Sequence, residues 1–265
     1  MQHRIIFALL VIAGIMAACS SPAAPAAPAP AAPVARANSP VSSPASTAQP
    51  TTKELQAILA NGKRLLTTQE AVQKGDVTAA RTSFKAFNDA WSSTEVYVKA
   101  RSVDLYGGIE DVQKQVNRDL LDAERPALTV VTAELAQLRS RYDEAAKLSE
   151  MGRPLHPMLD DLAALRGERV HLRNAQAALR TKDVASANAA FALFESGWPA
   201  VTAVVRTNAG ELETGIDEAR KVISAGLSAP SPSADTLLPQ VDAFIAKITE
   251  AVNKVNAALP TDARY

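Results

Sequence analysis

Few side chains in this sequence can do chemistry, and their types and spacing say which. There is one cysteine, Cys19, and there are three histidines, His3, His156 and His171. A lone thiol cannot form an intramolecular disulfide, so the stability of the chain must come from a packed core. No Gly-x-Ser-x-Gly elbow, Gly-rich phosphate loop or His-Glu-x-x-His occurs, which removes the usual patterns of nucleophilic hydrolysis, phosphoryl transfer and zinc proteolysis. The chain therefore reads as a non-enzyme. One polar feature repeats: Glu110-Asp111 has a counterpart in Asp217-Glu218. Neighbours on a helix point ~100° apart, so at most one carboxylate of each pair can approach an apolar seam. Carboxylates contributed symmetrically by two units suit a hard cation such as iron(III) or calcium, the alternative being a solvated acidic stripe. Otherwise no cofactor is expected.

Two histidines remain to be placed. His171 follows Glu168 at the spacing that di-iron helical bundles use twice, but the equivalent positions earlier in the chain hold Asn61 and Arg64, so half of such a centre is missing. His156, between Leu155 and Pro157, reads as a solvated histidine in a connector.

The first eighteen residues explain Cys19. A short polar start (Met1-Gln2-His3-Arg4) leads into an apolar run from Ile5 to Met16, then Ala17-Ala18 directly before Cys19. A transmembrane helix needs ~20 apolar residues, so this run is too short to span, yet it suits the apolar core of an export signal. Met16-Ala17-Ala18-Cys19 resembles the lipobox of bacterial lipoproteins, with Met in place of the commoner Leu at its first position. The resemblance implies cleavage before Cys19, diacylation of its thiol and acylation of the new amino group. It places the protein outside the cytoplasm, lipid-anchored to the cell envelope.

Residues 19–52 are the lipidated cysteine and a linker rich in Ala, Pro, Ser and Thr, with eight prolines and Arg36 as the one charge. Such a stretch cannot bury enough apolar surface to offset its ordering entropy. At ~3.1 Å per residue in the polyproline conformation it can hold a folded body up to ~90 Å from a membrane.

Charge narrows the partners. The chain has 28 basic and 28 acidic residues, and loss of Arg4 with the signal leaves it near −1. Nucleic-acid binders carry a basic domain or stripe, and neither is present. The partners expected are the membrane, through the lipid, and a protein of the envelope.

The elements that must position these residues are helices. From 53 to 259 the chain is rich in Ala, Leu, Glu, Lys, Arg and Gln, with no sustained alternation of period two. It also resembles itself at an offset of 107 residues: Phe84, Phe87 and Trp91 recur as Phe191, Phe194 and Trp198, and Leu105, Gly108 and Ile109 as Leu212, Gly215 and Ile216. A Phe-x-x-Phe-x-x-x-Trp pattern recurring in register marks a tandem repeat. The expected fold is all-α, a tandem duplication of a four-helix up-and-down unit, with unit 1 at 53–150 and unit 2 at 158–259. Asp76 and Asp183 are placed to cap the second helix of each unit, and Ser102 the third. Pro126 suits the first turn of the fourth helix. The segment 228–232 holds an insertion that shifts the last helix's offset to 110. Residues at i, i+3 and i+7 share a helical face, so the aromatic triplets belong to a core or, as the alternative, to a ligand surface. Gly197-Trp198-Pro199 is expected to interrupt the second helix of unit 2, because proline removes a helical hydrogen bond.

The pattern Asp-Val-x-x-Ala…Phe-x-x-Phe-x-x-x-Trp…Leu-x-x-Gly-Ile with two acids after it, at 76–112 and 183–219, resembles helical extracytoplasmic segments of iron-permease-type proteins. The double-bundle layout is similar to that of imelysin-like lipoproteins of iron uptake. The permeases' Arg-Glu-x-x-Glu and the imelysin-type Gly-x-His-x-x-Glu are both missing, so the resemblance implies no transport chemistry. It implies an accessory role in iron or other hard-cation uptake, with Glu110, Asp111, Asp217 and Glu218 as the metal candidates. The other reading is a non-catalytic binding or scaffolding module.

Overall fold

A computed structural model describes residues 52–261 and 263; the export segment, Cys19 and the linker up to residue 51 lie outside the described residues. The described residues form one compact unit. Among the described residues it is all-α: α1 (Lys53–Gln73), α2 (Val77–Arg101), α3 (Val103–Val116), a π-helical turn (Asn117–Asp122), α4 (Leu128–Met151), α5 (Met158–Arg180), α6 (Val184–Leu227) and α7 (Ala234–Ala258). No described helix is long and apolar enough to cross a membrane.

The helix ends follow from local chemistry. Side chains of Thr52, Asp76, Ser102, Asp183 and Ser233 accept from backbone N–H groups three residues on, at 2.9–3.3 Å, satisfying donors that the first turn leaves open. Pro126 falls two residues before α4, just outside the helix whose start it was expected to enter.

The 107-residue offset relates structural details as well as letters. The amide of Asp76 closes onto the carbonyl of Ala71, and that of Asp183 onto Ala178, each at 2.9 Å. Phe84 stacks on Phe87 at 5.5 Å, as Phe191 stacks on Phe194 at 5.8 Å. Gln113 donates to Asn88 at 2.6 Å, and at the equivalent positions Arg220 donates to Glu195 at 3.0 Å. This last pair shows that α6 folds back on itself. Its backbone departs from helix at Ala209 (φ −151°, ψ 39°), which corresponds to Ser102 between α2 and α3.

The break in α6 is therefore not where the sequence suggested. Helical hydrogen bonding runs through Gly197-Trp198-Pro199. The proline ring sits on the exposed side, while Phe194, Trp198, Val201 and Val205 form a buried seam on the opposite face that holds the axis. The cost of the lost hydrogen bond is borne there, on the solvent side.

Both aromatic triplets are buried in one continuous apolar core, which decides for core packing over a ligand surface. Polar groups lock its first half. Glu54 is 3% exposed and receives Arg101 Nε at 2.8 Å, Arg101 Nη2 at 2.7 Å and Ser149 Oγ at 2.5 Å, joining the ends of α1, α2 and α4. Deeper, Asn61 donates to the Tyr142 hydroxyl at 2.8 Å.

Candidate functional site

The two halves meet where α5 lies against α2, and polar side chains hold the seam. Arg166 donates from Nε to the carbonyl of Ser92 at 2.9 Å and ion-pairs with Glu95. Asn174 donates to Asp89 at 3.1 Å and accepts from Lys85 at 2.7 Å. At the other end of the seam the Tyr97 hydroxyl donates to Asp160 at 2.9 Å, with Lys53 3.7 Å from the same carboxylate. Burial and the nearby Asp160 carboxylate together raise the Tyr97 phenol, which stays protonated as a donor.

Between these ties α1, α2 and α5 leave an open groove of about 590 Å³. Small residues on α5, Ala163, Ala164 and Gly167, make the room, and Lys53, Gln56, Ser93, Tyr97, Asp160, Glu168 and His171 supply its polar lining. A groove of this size with a few convergent polar groups has the form of a small-molecule site.

Glu168 is its most perturbed member. Burial pushes its carboxyl up to about 7, because desolvation penalises the charged form. Its Oε2 is sealed from water and has no hydrogen-bond partner. The carboxyl is seated against the backbone of Gly197 on α6, where a Cβ would collide with it. His171, one turn further along α5, is held below its ordinary value by burial, against the opposing pull of Asp89. Near neutral pH the groove thus presents a neutral imidazole beside a carboxyl poised to ionise. On the far side of the first half, burial and the charge of Asp119 push Glu134 up to about 7 as well.

The four carboxylates named from the sequence are arranged differently. Glu110 accepts from the indole N–H of Trp91 at 2.6 Å, which fixes it against the core of the first half. Asp111 is exposed and 3.5 Å from Lys114. Asp217 lies 3.6 Å from Arg220, and Glu218 is exposed. Among the described residues no three or more His, Cys, Asp or Glu side chains form a group able to hold a metal ion. Of the four, only Glu110 is tied to the core; Asp217 is half-buried, and Asp111 and Glu218 are exposed.

Glu168 and His171 were singled out in the sequence as half of a di-iron motif; their shared groove was not foreseen. The available signal was the pairing of a carboxylate at a seam position with Gly197 on the next helix. His156 accepts a 3.3 Å hydrogen bond from the Met158 amide, as a loop residue starting α5.

No family model, curated protein or solved structure matches this chain.

Proposed function

We propose that the chain is an exported lipoprotein, anchored to the membrane through Cys19, whose helical body is a duplicated bundle that binds its ligand without transforming it. The observation that carries the binding reading is the open groove of α1, α2 and α5, whose polar lining brings Asp160, Glu168 and His171 together with Lys53. Asp160 and Glu168 outweigh Lys53, so the groove suits a small ligand with a positive or N–H-bearing end. The duplication is supported by the matching caps, stacked aromatic pairs and chain reversal at one offset. The linker gives the body reach to an envelope partner.

Two experiments test this. A Cys19→Ala variant, exported normally, should leave the membrane fraction; if it stays there, the anchor is elsewhere. For the groove, the full chain is titrated calorimetrically with choline, spermidine, Ca(II), Zn(II) and Fe(III)-citrate. Heat that disappears in Glu168→Gln but survives Glu110→Gln/Asp217→Asn supports the groove. The reverse pattern would turn the assignment to the repeated carboxylates and to an accessory of hard-cation uptake. Silence with every probe would leave scaffolding of an envelope protein as the role.

A further inference from the structure

A second groove, separate from the one lined by Glu168, runs between α1 and α4. It encloses about 290 Å³ above Ile58, Tyr142 and Ala146, and Leu59 and Leu66 form its wall. These two leucines are 47% and 42% exposed, so a soluble surface here keeps two large apolar side chains in water. Single exposed leucines are ordinary, but two that flank one apolar cavity are a feature.

Gly62 opens the groove. A Cβ at this position would lie 3.6 Å from the Tyr142 ring, in plain contact, so any longer side chain would extend into the space. The second half shows the alternative. Arg169 stands 107 residues on, at the same register of α5, and its long side chain is only 7% exposed. One half buries a side chain at this position and the other leaves it bare.

The rim adds charge. Lys63 and Arg139 line the groove with Asp143, an excess of one positive charge. Asp143 accepts from the Nε of Arg139 at 2.7 Å, and the arginine side chain stays partly exposed at the rim.

We propose that the α1–α4 groove binds a small amphipathic carboxylate, an apolar body ending in one negative charge. The apolar floor would take the body, and the positive rim of Lys63 and Arg139 would take the carboxylate, as guanidinium groups pair well with carboxylates. The span from Leu59 to Leu66 is ~10 Å along the helix, the length of a short chain. A partner helix, ~10 Å across, is too thick for the enclosed volume. An alcohol of the same length would bring no charge to the positive rim, and an amine would be repelled.

The test titrates the full chain with octanoate, octanol and octylammonium. Octanoate should bind about ten-fold or more tighter than the other two, a difference of one charge-assisted contact. Arg139→Gln should erase that preference. Leu66→Gln and Gly62→Leu should weaken octanoate about ten-fold or more, the first by making the wall polar and the second by filling the space. Arg139 and Leu66 lie at the surface, so their variants report binding even if Gly62→Leu is poorly folded. Glu168→Gln should leave octanoate unchanged, which separates this site from the first groove. No octanoate binding, equal affinity for all three probes, or octanoate affinity untouched by both Arg139→Gln and Leu66→Gln would overturn the proposal.

Discussion

Gly75 and Lys182 stand at the same place in the two halves and both hold the left-handed backbone, at φ 72° and 60°. Each follows a helix whose closing hydrogen bonds run to the same carbonyl positions, Val72 and Leu179 among them. Glycine adopts this conformation at no steric cost, whereas a lysine Cβ is crowded there. Lys182→Gly should therefore stabilise the protein by ~0.5–1 kcal/mol, and Gly75→Ala should destabilise it by ~1 kcal/mol. Urea unfolding of the two variants checks this; equal and opposite signs to those stated would mean the turns are not equivalent.

Trp91 and Trp198 carry the centre of each half. Trp91 is stacked with Tyr106 at 6.1 Å, and Trp198 with Phe194 at 5.5 Å. Alanine at either position should cost ~3–5 kcal/mol, combining lost transfer energy with a cavity. A loss within ~0.5 kcal/mol, read by chemical denaturation, would place the ring at a surface instead.

The Glu54–Arg101 pair closes the end of the first half at which α1 begins. Removing one partner leaves the other buried without its counter-charge, so Arg101→Ala should cost ~3–5 kcal/mol. The double variant Glu54→Leu/Arg101→Met should recover much of that loss, since an apolar pair needs no compensation. A thermal melt in which the double variant is no better than the single would show that Ser149 and the packing of the arginine stem matter more than the charge.

Glu168 sets a pH dependence of definite sign. Its carboxyl titrates near 7 in the folded protein and at its ordinary, lower value when unfolded. The folded state therefore holds the proton longer, and stability falls as pH rises from about 4.5 to about 7, then levels off. Glu168→Gln should remove that slope and stabilise the protein at pH 8 by ~1 kcal/mol, after allowance for solvent screening of a partly exposed group. Its effect at pH 4 should be small, because the wild-type group is then mostly neutral in both states. Denaturant midpoints at the two pH values measure the difference, and an equal shift at both would assign the effect to shape and not to ionisation.

Much of this molecule was legible in the letters because helical order is local. The 3.6-residue period, the caps at Asp76, Ser102 and Asp183, and the aromatic spacing of Phe84, Phe87 and Trp91 act within one or two turns. They determined an all-α body with buried aromatic seams, and the solitary Cys19 after its apolar run carried the expectation of an anchor. What depends on two helices meeting could only come from the tertiary structure. Pro199 was expected to break its helix, yet packing on the opposite face keeps it straight and the chain turns at Ala209, a residue with no capping side chain. Glu110 and Asp217, matched in sequence, are drawn to different partners because Glu110 meets Trp91 and Asp217 lies by Arg220. Glu168 became the candidate ligand group because Gly197, on the next helix, leaves it a seat. Gly62 opens a groove only because Tyr142, eighty residues away in sequence, lies beneath it. These are facts of side chains converging from distant segments, and a local pattern does not encode them.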